Sequence, residues 1–454
     1  MIKIEFHGAA KTVTGSNYLV TTDKYQFVVD CGMFQGPDVE HLNLKELDYD
    51  PSKLDFALLT HAHIDHSGML PKLTVRGFNG KIYATSHSVQ ISTELLLDSA
   101  KIQENSFQKG LPYGRYTGIK AIVFNTRDAI ETIGKFSVVN FEETFEPVPG
   151  IKIKFLRAGH ILGAASIEID IDDNGQNKKI IFSGDIGRKK SHIIETFDAN
   201  YKSNPDIVLI ESLYGGQIHP DRDESARELI NIINKTVENR GNVFIPCFAV
   251  QRAQEVLNDI KNAKDSGVMP KETQVWLDSP LAQRVTNIYT QALQTTEKDL
   301  FNFDNLVYVK KAKQSAGITN KTGNVILAGS GMADGGRIQN HLIKGLQNSK
   351  NSVIFVGFQA EGTLGRELIS GAKRVTIEKN SVKVNAQIYH LQGFSAHGDN
   401  NDYTAWINRF ISPNLKRVFM VHAEEERALM LKSHFETLGI HNSYIPSMEE
   451  VVEL

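Results

Sequence analysis

A short apolar strand, a loop of polar or glycine residues and a helix-like segment recur along the chain. No other feature confines the fold as strongly. The unit is read in "FVVDCG", "FALLTHAHIDHSGML", "IIFSGDIG" and "DIVLIESLYGG", then in "NVFIPCFAVQRAQEVL", "QVWLDSPLAQRV", "NVILAGSGMADGGRI" and "SVIFVGFQAEGTLGREL", and last in "IYHLQGFSAHGD" and "RVFMVHAEEERALMLKSHF". Strands alternating with helices predict an α/β protein with its chemistry at the carboxyl ends of the strands. Polar residues gather at those ends: Asp30, the cluster at 61–66, Asp185, Glu211, His397 and His422. Residues 134–185 read differently, as antiparallel strand pairs, so a mixed sheet is expected there.

The densest of these strand ends is "THAHIDH", residues 60–66. His61 and His63 stand two apart, so on an extended loop both imidazoles can point at one ion. Asp65 and His66 follow where a second ion can be held. Imidazole and carboxylate without thiolate suit zinc in a catalytic site, where one position stays open for water. A solvated His-rich loop is the plain alternative, and further ligands elsewhere decide against it. His160 lies in "RAGHILGAAS" between apolar strands, Asp185 in "FSGDIG" has two oxygens able to bridge cations, and His422 lies in "FMVHAEEE". Asp30 ends a buried strand, as expected of a carboxylate that takes the second N–H of a metal-bound imidazole.

Composition excludes several classes. The chain has 454 residues, 41% hydrophobic and 23% charged, as in an ordinary globular protein of two or three domains. No apolar run approaches the ~18 residues of a membrane span, and the opening "MIKIEFHGAAKTV" does not read as a signal peptide. Two cysteines, Cys31 and Cys247, make no disulfide framework, so a cytoplasmic location is expected. The net charge of −3 does not advertise a polyanion partner, yet residues 214–388 hold 22 Lys and Arg against 17 Asp and Glu. Within 305–360 there are seven basic residues and one acid, Asp334. A polyanion lying against the middle of the chain accounts for this, as does an accident of a solvated surface.

The order Asp30, His61-x-His63-x-Asp65-His66, His160, Asp185 resembles the metallo-β-lactamase superfamily. Glu211, His397 in "GFSAHGD" and His422 in "VHAEE" resemble the further motifs of its nucleic-acid-processing β-CASP branch. The resemblance spans essentially the whole chain. It implies a metallo-β-lactamase αββα sandwich, residues 1–213 and 389–454, with an inserted Rossmann-like β-CASP α/β domain, residues 214–388. It also implies two zinc ions per chain, replaceable by manganese in vitro: His61, His63 and His160 on one, Asp65, His66 and His422 on the other, Asp185 shared.

Several features narrow the branch. Flavodiiron oxidoreductases of this fold have a carboxylate where His63 stands, and small-ester hydrolases lack so large an insertion. The Artemis-like DNA-processing enzymes have an apolar residue at the position of His422. A histidine there resembles the RNA-processing group, which includes the endonuclease subunit of the mRNA 3′-end cleavage factor and ribonuclease J. Absence of room for KH domains or an extra C-terminal domain resembles the short bacterial type. Leu213, Gly398 and Ala423 depart from the usual motifs without removing a candidate ligand.

The implied reaction is hydrolysis of single-stranded RNA to 5′-phosphate and 3′-hydroxyl products, as endonuclease, 5′-3′ exonuclease or both. Asp65 and Asp185 serve through the metals, His397 is the general acid, and Glu211 orients it. Three glycine-rich strand–helix junctions offer backbone N–H groups to phosphates, with Ser330, Thr363, Arg366 and Ser395 as the candidate side chains. A DNA nuclease or other metallo-hydrolase of this fold is the nearest alternative, and a non-catalytic RNA-binding scaffold the one from another class. The resemblance also extends to a homodimer.

Overall fold

Residues 1–114, 116–293 and 300–454 are described by a computed structural model. They fold as two units, residues 1–218 with 397–454, and residues 219–396. The second unit begins and ends later than the 214–388 expected from sequence. Gln387–His390 is the edge strand of its sheet. The turn Gln392–Phe394 then packs so tightly on helix Arg222–Glu238 that a Cβ on Gly393 would meet Ser225 Oγ at 2.0 Å.

The first unit is built on two seven-stranded sheets. One runs, in spatial order, Val451–Glu453, Lys3–Phe6, Tyr18–Thr21, Gln26–Val29, Phe56–Leu58, Lys81–Thr85 and Phe136–Val139. The other runs Ser443–Tyr444, Arg417–Val421, Ile207–Glu211, Gln176–Phe182, Ala165–Asp173, Ile151–Arg157 and Thr144–Val148. Alternation along the strands separates two cores. Ile207 and Leu209 join Phe6, Val20, Phe27, Phe155 and Ile167 between the sheets. Val208 and Ile210 point the other way, to Tyr403, Trp406, Leu431 and Phe435 of helices Asn400–Ile407 and Glu425–Thr437. A strand buried on both faces needs an unbroken apolar run, which is what "DIVLI" is. Val28, Ala57 and Ile82 likewise meet Leu70 and Leu73 of helix Leu70–Val75 on the outside of the first sheet. Helix, sheet, sheet, helix is therefore the layering.

The antiparallel pairs expected over 134–185 form, except for the first strand. Phe136–Val139 lies parallel to Lys81–Thr85 in the other sheet. Helix Thr126–Ile133 carries the chain back across that sheet, so the strand after it arrives in the parallel sense.

The second unit has a six-stranded, wholly parallel sheet: Leu306–Tyr308, Gln274–Asp278, Asn324–Ala328, Val243–Pro246, Ser352–Phe355 and Gln387–His390. Its strands are nearly all apolar because both faces are covered. Phe244, Ile326, Val353 and Phe355 pack against Ile338, Leu342 and Leu368 of the connecting helices. A small hairpin, Arg374–Ile377 with Asn380–Lys383, completes it. No helix among the described residues is long and apolar enough to cross a membrane.

Candidate metal centre

Five strands of the first unit end in the same place and deliver polar residues there. Phe56–Leu58 leads to His61, Ile151–Arg157 to His160, Gln176–Phe182 to Asp185, Ile207–Glu211 ends on Glu211, and Arg417–Val421 leads to His422. Ligand atoms of His61, His63, His160 and Asp185 all lie within 4.8 Å of one another, as do those of Asp65, His66 and His422.

Asp185 stands between the two groups, with one oxygen toward each. Its Oδ2 is 3.3 Å from His61 Nε2 and 3.4 Å from His160 Nε2. Its Oδ1 is 3.2 Å from His66 Nε2 and 3.5 Å from His422 Nε2. His63 Nδ1 lies 3.2 Å from His61 Nε2 and 3.1 Å from His160 Nε2. Ligands held tetrahedrally at ~2.0–2.1 Å from one ion are ~3.3–3.4 Å apart, so this spacing is that of a metal polyhedron. Mutual hydrogen bonds do not explain it. One ring nitrogen carries one proton or one lone pair and cannot serve two imidazoles properly. Asp185 Oδ1, buried, has no well-aligned hydrogen-bond donor among the described residues. A divalent cation fits the donor set.

The loop that carries the histidines is fixed through its backbone. Ser16 N donates to Asp65 O (2.9 Å), Cys31 N to His66 O (2.9 Å) and Met33 N to Ile64 O (2.9 Å). Gly32 lies so close that a Cβ there would meet Asp65 O at 1.6 Å, which admits only glycine. Asp30 takes a left-handed φ of 59°, uncommon for a residue with a side chain. Its Oδ2 is 2.7 Å from His66 Nδ1, and its Oδ1 accepts from Thr60 N at 2.7 Å. With Nδ1 turned to Asp30, Nε2, 3.2 Å from Asp185 Oδ1, is the nitrogen His66 offers as a ligand. His422 also sits at a left-handed φ, 55°, directly after its strand.

Glu211 and His397 form a separate pair beside Asp185. Glu211 is fully buried; its two oxygens are each 3.2 Å from His397 Nδ1. The remaining partners of the carboxylate are Ile186 N–H (2.6 Å) and the Tyr403 hydroxyl (3.0 Å). Burial opposes charge on His397, yet Glu211 and then Asp185 hold its pKa above the usual value. An imidazole kept protonated, with its far nitrogen free of Glu211, can give a proton away. Tyr403, Thr60, Ser16 and Gly32 were not picked out from sequence. Only the glycine after "VVDC" carries a local signal.

The residues proposed for phosphate lie in the second unit. The loops of Ser330 and Thr363 are joined there, with Gly365 N donating to Met332 O (2.9 Å) and Leu364 N to Asp334 Oδ1 (2.8 Å). Ser330 Oγ is buried without a hydrogen-bond partner among the described residues. Thr363 is occupied as a helix cap, accepting from Arg366 N at 3.1 Å and donating to Ala360 O at 2.7 Å. The Arg366 guanidinium pairs with Glu361 at 2.6 Å. Ser395 is buried in the turn that precedes His397.

A two-sheet sandwich whose strand ends assemble two His/Asp groups about a shared aspartate defines a metallohydrolase. The chain belongs to the metallo-beta-lactamase superfamily, whose pattern matches residues 11–246; a Beta-Casp domain matches 253–368, and a Zn-dependent metallo-hydrolase RNA specificity domain matches 381–446. Superfamily membership and the His/Asp groups together mark it as a binder of divalent metal. It is 34% identical to ribonuclease TTHA0252 of Thermus thermophilus over 93% of this chain and 94% of that protein. It is 31% identical to an RNase J-like protein of Methanocaldococcus jannaschii, covering 94% of each. The transcription termination factor FttA of the same organism is 30% identical over 98% of this chain and 70% of its own length. A crystal structure of a protein of unknown function from Enterococcus faecalis aligns over 100% of both chains with a TM-score of 0.57 at 15% identity, a likeness of fold alone.

Proposed function

We propose that the chain is a zinc-dependent ribonuclease that hydrolyses RNA phosphodiester bonds with two metal ions. The observation that carries the reading is Asp185, with one oxygen toward His61 and His160 and the other toward His66 and His422. In this reading His61, His63, His160 and Asp185 hold one ion, and Asp65, His66, His422 and Asp185 the other. Zinc bound there lowers the pKa of water to ~7 and neutralises phosphate charge. RNA as substrate is supported by the RNA specificity domain and by the names of the ribonuclease relatives.

The chain's own residues divide the remaining work. His397 donates its proton to the departing 3′-oxygen, leaving a 3′-hydroxyl and a 5′-phosphate. Glu211 holds His397 in register and charged, and Tyr403 with Ile186 N–H holds Glu211. In this reading Ser330, Thr363, Arg366 and Ser395 take phosphates of the RNA that flank the scissile one. Cys31 and Cys247, both buried and unpaired, agree with a cytoplasmic location, and a homodimer belongs to the same reading.

Purified protein should carry close to two zinc ions per chain and cut labelled single-stranded RNA, but not DNA or a chromogenic ester. Activity should vanish with chelator and return with zinc. Protein without metal, which zinc does not activate, would refute the reading; cleavage of DNA alone or of the ester alone would move the substrate class.

A further inference from the structure

The metal centre lies in the acidic part of the chain. Residues 1–218 and 397–454 contain 28 Lys and Arg against 36 Asp and Glu. A polyanion approaching this unit is repelled on average, so its path to the centre needs local cations. One run answers that need: Arg188, Lys189 and Lys190 follow Asp185 within five residues, in "GDIGRKK". Lys189 and Lys190 are exposed, and among the described residues neither ammonium group pairs with a carboxylate.

The backbone holds this run beside the proton donor. Gly187 forms an antiparallel bridge with His397, and Gly398 N donates to Ile186 O at 2.7 Å. Gly187 N donates to Ala158 O (2.8 Å) in the His160 loop, where a Cβ on Gly187 would meet Gly159 O at 1.8 Å. Lys189 N is held by Asp402 Oδ1 at 2.9 Å, on the first turn of the helix that follows His397. Two residues of extended chain span at most ~7 Å, so Lys189 is anchored within that distance of Gly187 and its pairing with His397. Holding two bare, strongly hydrated ammonium groups next to a fixed loop does not serve folding, because neither has a partner. It does serve a ligand that brings negative charge.

We infer that Lys189 and Lys190 bind the RNA backbone at phosphates flanking the scissile bond, and so set how substrate enters the metal centre from the acidic unit. The inference rests on the ribonuclease reading and adds residues that neither the metal set nor the glycine-rich junctions include. Ion pairs of this kind are sequence-independent, and each releases condensed counterions.

The test compares the metal-loaded full chain with Lys189→Gln/Lys190→Gln and Lys189→Arg/Lys190→Arg. Binding of an end-labelled single-stranded RNA of mixed sequence is followed from 50 to 300 mM salt with each protein carried in a His397→Ala background that slows cutting. Each phosphate that goes unneutralised should lower the slope of log K against log salt by ~0.7, so the glutamine pair should lower it by ~1.4. KM on cleavable RNA should rise, kcat at saturation and metal content should stay, and the arginine pair should restore the slope. An unchanged slope and KM in the glutamine variant, with wild-type protein binding and cutting RNA, would overturn this assignment alone. Wild-type protein that neither binds nor cuts RNA would overturn both the assignment and the ribonuclease reading.

Discussion

The two sets of side chains on either side of Asp185 differ in charge and in support. His61, His63 and His160 form an all-imidazole group. Burial and then His61 push His63 down to about 3, and burial followed by His397 holds His160 well below the usual value. Asp65, His66 and His422 include a carboxylate. There burial opposes charge on His66, but Asp185 and Asp30 hold its pKa well above the ordinary range. His63 and His160 are ready as neutral donors. The second group has Asp30 directly behind His66, whereas in the first Thr60 Oγ1 lies 3.1 Å from His61 Nδ1 and His160 Nδ1 has no hydrogen-bond partner among the described residues. Side chains of one type thus make two unlike sites, and the unlikeness comes from what stands behind them.

The largest test removes what the two groups share. Asp185→Ala should strip both of metal and abolish cleavage, read by metal analysis and RNA assay on the same preparation. A variant that keeps two ions would mean that the carboxylate does not join the groups.

Next comes the group that lies beside both and belongs to neither. His397→Ala should keep both metals and RNA binding and slow the chemical step by ~10²–10⁴-fold, the usual contribution of general acid–base catalysis. On RNA with a 3′-bridging sulfur, whose thiolate leaves without a proton, the defect should shrink sharply. Equal impairment on both substrates would remove His397 as the proton donor.

Asp30→Asn should act more on one side than on the other, because Asp30 meets His66 directly and His61 only through Thr60. Losing a carboxylate behind a metal-bound imidazole costs ~10–100-fold in metal affinity, and His66 is the ring it supports. Titration with a chromophoric chelator should show one ion weakened by that factor and the other by clearly less. Equal weakening of both would mean that Asp30 supports the loop as a whole.

The smallest effect is the order of metal loss on acidification. A His66 whose pKa is raised binds a proton at a pH where His63 and His160 are still neutral. Protons therefore compete first for the Asp65, His66 and His422 group. Stepwise lowering of pH should release that ion before the other, and simultaneous release would erase the distinction.

The local motifs were legible because their spacing is short. In "HAHIDH" the loop itself presents four polar residues, and an apolar strand before each of Asp185, Glu211 and His422 marks a strand end in any α/β fold. Support residues were not legible. Tyr403 looks like any aromatic of a helix until its hydroxyl meets Glu211 across 192 positions of sequence. Thr363 stands in a glycine-rich junction, but that its hydroxyl caps helix Leu364–Ile369 shows only once the chain is folded. Phe136–Val139 has a strand's composition, but pattern alone does not say which sheet it enters.

The sequence by itself determined the alternation of strand and helix, the side chains able to hold metal, and the family, because these depend on residue type, period and order. Only the tertiary structure decided that Asp185 divides its oxygens between two groups, that Asp30 meets His66, and that Gly187, two residues before Lys189, pairs with His397. Those facts depend on ångström-scale approach between segments far apart in the chain, which the packing of two sheets sets and no local pattern encodes.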